Sequence, residues 1–375
     1  MIYVITFSIS IILMVLSFKC KNNKILAKIA AGIAIIIPCI LAGLRDLSLG
    51  VDINVYIYPL LRQAIDTNDF VTFVFNNQMM NDYMYLAFTF FIAKIFKSIF
   101  WMFFAIQLLV IFPVYKALKI TYSNNKQMLF GFLLIFLVLY NPSYNMARQS
   151  IALAFEILAF AYLNSGNKKK FYIYALVSLS FHWSGIIIVL IYLLYKLINT
   201  IRISKNTKSI IKLVIIVVSI VIVILSPKLL QFLEYFGVSQ SKINGQYGYI
   251  LSEIEGNTTA DTLFCIGIYI LITIFKKYLI KDDEQKRKYD FYKYLLFLGI
   301  IALQMGNFIL YAHRIAYYFI YPVFFLEIPK LFNNSKNKIT YCDFLLILMF
   351  CFYWYFWTII ANYHDTFPYQ FYNLN

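Results

Sequence analysis

SIIKLVIIVVSIVIVILS, residues 209–226, decides the class of fold. The stretch is apolar apart from Ser209, Lys212, Ser219 and Ser226. About 20 such residues cross a bilayer as a helix, which satisfies every backbone N–H and C=O within the segment. Its flanks differ. On one side lies the basic connector Lys196–Lys212; on the other lies 227–260, rich in Asn, Gln, Ser and Tyr and without that bias. Repeated along the chain, this contrast marks a polytopic membrane protein with its basic connectors in the cytoplasm.

The whole chain agrees with that local reading. Its 375 residues are 62% hydrophobic, 19% aromatic and only 13% charged, with a mean hydropathy of +0.73. Apolar runs recur throughout, so no soluble stretch is long enough to bury its own core, and residues 1–375 read as a single integral membrane domain. The net charge of +16 would suggest nucleic acid in a soluble protein. Here most of it lies in short connectors, so no nucleic-acid partner is expected. Ile2–Phe18 lacks a basic leader and a small-residue cleavage site, so it is expected to stay as a helix. The five cysteines, Cys20, Cys39, Cys265, Cys342 and Cys351, are dispersed without a CxxC pair, so neither a disulfide framework nor a metal site is expected. The abundance of Lys, Asn, Ile, Tyr and Phe is what an AT-rich bacterial genome tends to encode.

Membrane segments are predicted near 2–18, 29–44, 82–97, 99–118, 127–141, 143–164, 171–199, 209–226, 261–279, 290–309, 314–329 and 340–361. The fold class is therefore all-α, a polytopic transmembrane helical bundle of about 11–13 segments with short broken helices and an outer-face cavity. The basic connectors are Lys19–Lys28, Lys94–Lys97, Lys116–Lys126, Lys168–Lys170, Lys196–Lys212, Lys276–Lys293 and Lys330–Lys338, which hold all but six of the 33 Lys and Arg residues. The outer face takes 45–81, 227–260 and the tail 362–375, with the short turns near 141–147 and 310–313. Interfacial helices are expected in the first two, and in Asp52–Asp66 Val55, Tyr56 and Leu60 form one apolar side. Strict alternation cannot put every basic connector inside. A break at His182-Trp183-Ser184-Gly185, with two short helices meeting near the outer face, resolves this for 171–199, and a re-entrant half would do so for 82–118.

Arginine is scarce, and four of the six, Arg45, Arg62, Arg148 and Arg314, lie outside the basic connectors. A guanidinium is a rigid five-donor fork suited to phosphate or carboxylate, whereas lysine is a point charge on a loose stem. Arg148 follows the polar turn Asn141–Ala147 at the start of an apolar helix, where backbone N–H groups and the helix dipole also favour an anion. Gln149 follows at once, and Glu156 lies two turns along. Arg45 ends the second segment and is followed by Gly50, Asp52 and Tyr56; the glycine permits a tight turn that could bring Arg45 and Asp52 together. His182 stands at the expected helix break and can move protons near neutral pH. His313 and Arg314 open the helix continuing through Tyr317 and Tyr318, repeating the placement of Arg148. Arg62 reads as a surface contact with headgroups. Walker and dinucleotide glycine motifs are absent from the sequence, so nucleotide hydrolysis by this chain is not expected.

Four patches, in this order, resemble the EpsG family, related to Wzy-type O-antigen and capsule polymerases. They are Gly43-Leu44-Arg45 with Gly50, Asp52 and Tyr56; Arg148-Gln149 with Ala152; Phe181-His182 with Ser184; and Arg314 with Tyr318 and Phe319. The chain differs from the family pattern in Leu47-Ser48-Leu49 before Gly50 and in Val51. The resemblance implies a glycosyltransferase-type polymerase in the inner membrane of a bacterium, its active site facing outward. It would join oligosaccharide repeat units carried on undecaprenyl pyrophosphate, with no cofactor and no metal. Arg148 and Arg314 would hold the pyrophosphate and stabilise its developing charge, and His182 or Asp52 would take the acceptor proton. Arg45, Gln149, His313, Tyr56 and Tyr318 would bind substrate. Membrane lipids, a flippase and a chain-length regulator are the further partners implied. The competing readings are a polysaccharide ligase, a membrane acyltransferase, and a transporter or flippase for lipid-linked sugars.

Overall fold

The computed structural model describes residues 1–20, 22–78, 80, 82–199, 204–235, 258–276, 282–309, 311–332 and 341–372, side chains excepted at 205 and 227–235. Among these residues the chain is helical with no strand, apart from one isolated antiparallel bridge between Arg45 and Phe371. It divides into two compact units, Met1–Ile186 with Phe324–Asn375, and Ile187–Val323.

The first unit holds α1 (Ile2–Lys19), α2 (Lys24–Gly43), α3 (Tyr58–Asp66, entered through a π turn at Ile53–Ile57) and α4 (Phe70–Asn76). Next come α5 (Tyr83–Phe96), α6 (Ile99–Thr121), α7 (Asn125–Leu134, extended by a π turn to Tyr140), α8 (Ala147–Asn164) and α9 (Lys168–Phe181). The second unit holds α10 (Ile187–Asn199), α11 (Lys205–Tyr235), α12 (Thr259–Ile274) and α13 (Asp283–Leu303). The chain then passes through α14 (Tyr317–Leu326) and ends, in the first unit, with α15 (Tyr341–Tyr355) and a folded tail.

Among the described residues five helices are long and apolar enough to cross a membrane: α1, α2, α6, Asn206–Ser226 within α11, and Tyr341–Ile360. Shorter apolar helices lie at Tyr83–Phe96, Asn125–Tyr140, Trp183–Asn199 and Thr259–Ile274. The molecule is a multi-pass helical membrane protein. The most apolar 18-residue window of Asn206–Ser226 has a mean hydropathy of 3.0, and only 11% of it is buried within the protein, as suits a stretch that faces lipid.

Local chemistry explains how α1 and α2 lock together. Pro38 lies inside α2 and has no N–H for the carbonyl of Ala34 four residues earlier. The Ser10 hydroxyl of α1 donates to that carbonyl instead. Buried Ala30, Ala31 and Ala34 let the two backbones approach. Beside them Phe7 stacks on Phe136 with ring centroids 4.7 Å apart, and Tyr3, Tyr140 and Trp354 meet Phe7 or one another edge-on.

The expected break at 182–185 is present: α9 ends at Phe181, His182 is extended, and a 3₁₀ turn over Trp183–Ile186 leads into α10. α5 spans about 21 Å at 1.5 Å per residue, short of a ~30 Å hydrocarbon core. Three expectations shift. α11 continues to Tyr235, so the loop expected from 227 begins later, and residues 236–257 lie outside those described. α13 starts at Asp283 rather than near 290, because Asp282 caps it by accepting the Gln285 N–H at 2.7 Å. In the helix after Gly50 the buried stripe is Ile53, Tyr56, Ile57, Leu60, Leu61 and Ala64, while Val55 is 67% exposed. Val55 lies off that face, which the π turn broadens by packing Tyr56 and Ile57 together inward.

Candidate functional site

The site in the first unit is built around the N-terminus of α8. Met146, at the cap position, offers no side-chain acceptor. The role passes to Asp52, 95 residues earlier, whose Oδ2 accepts the Ala147 N–H at 3.1 Å and the Tyr56 hydroxyl. A carboxylate at a helix N-terminus is stabilised by the unsatisfied N–H groups and the dipole. Two further contacts bolt the 50–52 loop down. The Asn145 side chain accepts the Val51 N–H at 2.7 Å, and Gly50 has φ +108°, where a Cβ would lie 2.9 Å from the Tyr144 carbonyl oxygen. Only glycine fits that backbone against 144.

Arg148 lies one residue into this helix. Its guanidinium carbon sits 4.3 Å from the centroid of the Tyr56 ring, and Nη1 donates to Asp82 Oδ2 at 2.6 Å. The Arg148 side chain is 24% exposed and that of Asp82 only 2%. The other Asp82 oxygen accepts the Trp183 N–H at 3.0 Å. One carboxylate therefore ties the start of α8 to the turn that carries His182. That turn is tight: a Cβ on Gly185 would lie 2.8 Å from the Leu179 Cα.

His182 Nδ1 lies 3.1 Å from the Ser184 backbone N and 2.9 Å from its hydroxyl. A backbone N–H only donates, so Nδ1 is an acceptor and the neutral ring carries its proton on Nε2. Gln149, next to Arg148, is buried. Glu156 is fully buried, and neither carboxyl oxygen has a hydrogen-bond partner among the described residues.

Arg45 does not pair with Asp52. It is 1% exposed, with its guanidinium sandwiched between Phe103 at 3.9 Å and Tyr144 at 3.8 Å, and none of its side-chain nitrogens has a hydrogen-bond partner among the described residues. Two ring faces compensate a desolvated guanidinium where a carboxylate is lacking. Beside it the tail folds back: the Asp46 N–H donates to the Gln370 carbonyl at 3.0 Å and the Tyr372 N–H to the Leu44 carbonyl at 2.9 Å. Arg45 thus braces Tyr144, four residues before Arg148, and offers no open donor in this conformation. Arg62 is exposed on α3, as a surface contact would be.

Arg314 and His313 belong to the second unit, in a 3₁₀ turn over Ala312–Ala316 that runs into α14. The Arg314 guanidinium lies 4.2 Å from the Tyr311 ring centroid; Tyr318 is fully buried. Burial, with a smaller contribution from the Arg314 charge, pushes the His313 imidazole down to about 3. A folded value below the unfolded one of about 6.5 means that the unfolded chain takes up the proton first, so stability is lost as pH falls from about 6.5 towards 3. Between pH 7 and pH 5 this amounts to about 2 kcal/mol. Thermal unfolding of the purified protein should show that loss, and His313→Gln should flatten it; an equally steep variant would place the proton uptake elsewhere.

Asp82, Asn145 and the Ala147 and Trp183 N–H groups were not singled out by the sequence. The available signal for Asp82 was one acidic residue at the mouth of the apolar run Tyr83–Phe96, but a single carboxylate does not announce a partner 66 residues away.

Comparison with known proteins adds one finding. The family model for the EpsG family matches residues 28–371. No curated protein and no solved structure matches the chain. With nearly its whole length covered and Arg45, Arg148, His182 and Arg314 all inside the match, the chain belongs to the EpsG family of Wzy-type polymerases, and its role is of the polysaccharide-polymerase kind.

Proposed function

We propose that this protein joins oligosaccharide repeat units carried on undecaprenyl pyrophosphate, at the outer face of the cytoplasmic membrane. The bond between the anomeric carbon and the pyrophosphate oxygen breaks, and a bond from that carbon to the acceptor hydroxyl oxygen forms. The acceptor proton goes to a protein base and the electron pair leaves with the pyrophosphate. The observation that carries the reading is Arg148: a guanidinium at the N-terminus of an apolar helix, held over Tyr56 on a side chain that is still partly exposed. Preorganised cations are well suited to stabilising charge on a leaving phosphate.

The roles of the neighbours follow from their hydrogen bonds. His182, with its proton on Nε2, is a donor in this geometry, because accepting a proton at Nδ1 would displace Ser184. Asp52 is the better proton acceptor, half-buried and held by the Tyr56 hydroxyl and the Ala147 N–H. Gln149 and Tyr56 would line the substrate beside Arg148. In the second unit Arg314, 4.2 Å from the Tyr311 ring centroid, is a further cation suited to phosphate, with His313 and Tyr318 buried near it in sequence. Deleting the gene should strand single repeat units on the carrier outside the membrane. Free long polymer would indicate a ligase, an unmodified polymer an acyltransferase, and units trapped inside a flippase.

A further inference from the structure

The anion seat of Arg148 is already filled, and by a residue that touches two parts of the site. Asp82 takes Nη1 with one carboxylate oxygen and the Trp183 N–H with the other, at 2.6 Å and 3.0 Å. Its side chain is 2% exposed, whereas that of Arg148 is 24% exposed. A phosphate reaching the guanidinium must therefore either displace this carboxylate or bind beside it, and in both cases the fixed negative charge opposes the incoming one.

We propose that Asp82 is a positioning residue that stands in for the substrate's phosphate at Arg148 and weakens pyrophosphate binding there. The inference rests on the pyrophosphate reading given above. Its use is in turnover: after each transfer the carrier pyrophosphate must leave, and a guanidinium that bound it with nothing opposing would hold product as firmly as substrate. The same carboxylate keeps Arg148 extended over Tyr56 and the 182–185 turn in place, so phosphate arrival is coupled to the segment bearing His182.

The test is the binding of inorganic pyrophosphate to the purified full-length protein in lipid nanodiscs, by calorimetry at one fixed salt concentration, for the wild type, Asp82→Asn and Arg148→Gln. Asparagine keeps the shape and the oxygen for Trp183 but removes the charge. A like charge within 4–6 Å opposes an ion by roughly tenfold or more, so Asp82→Asn should bind pyrophosphate about tenfold more tightly while polymer synthesis slows. The sign separates this from a merely structural role, since a loosened site binds more weakly. Binding in Asp82→Asn that is no tighter than in the wild type, including none in either, overturns the proposal. If instead Arg148→Gln binds as the wild type does, the pyrophosphate reading itself fails.

Discussion

Arg148→Lys should lower polymer formation by about a hundredfold or more with membrane levels of the protein unchanged, the scale on which losing one preorganised donor to a developing anion costs an enzyme. Lysine keeps the charge, so the loss would be one of geometry. The guanidinium lies over the Tyr56 ring and reaches Asp82 through one nitrogen, on a side chain that stays 24% exposed. An ammonium on a flexible stem can satisfy Asp82 but has neither the plane for the ring nor the second edge. Polymer length on gels from cells expressing the variant at wild-type levels is the measurement, and polymer of normal length and amount would remove Arg148 from the chemistry.

The second large effect concerns the proton. Asp52→Asn should reduce the transfer rate by about two to four powers of ten, the range for a general base, whereas His182→Gln should cost only about tenfold, the worth of a hydrogen-bond donor. The reason lies in two acceptors. Asp52 is a carboxylate held by two donors at the start of α8, while His182 Nδ1 is occupied by Ser184. Initial rates with lipid-linked repeat units and equal amounts of purified protein decide between them. The reverse order would mean that the imidazole is the base and that its ring leaves Ser184 during the reaction. Because Asp52 also caps α8, thermal unfolding of the variant should accompany the rates; a lost cap costs about 1 kcal/mol and cannot account for a thousandfold drop.

Much of the fold was legible because its cause is local. A run such as 209–226 must be helical in lipid whatever surrounds it, since its peptide groups have no other partners there. For the same reason a run interrupted by His182-Trp183-Ser184-Gly185 reads as two helices, and the structure breaks there. Arg148 was legible as well, as a cation where a polar turn meets an apolar helix. Helix starts such as Asp283 were harder to read, since caps there compete with hydropathy in setting the boundary.

The partners of those residues were not legible. Arg45 and Arg148 look alike in sequence, each a lone arginine at the end of an apolar segment, yet one is shut between Phe103 and Tyr144 and the other opens to solvent. Asp82, the Asp52 cap on α8 and the tail's return to Leu44 and Asp46 join residues 66, 95 and more than 300 positions apart. By itself the sequence determined where the chain enters an apolar phase and which few cations stand at its borders, because transfer into lipid depends on each segment's own composition. Which of those cations remains available to a ligand was decided only by tertiary structure, because a charge is open or closed according to the carboxylate or ring that packing brings against it.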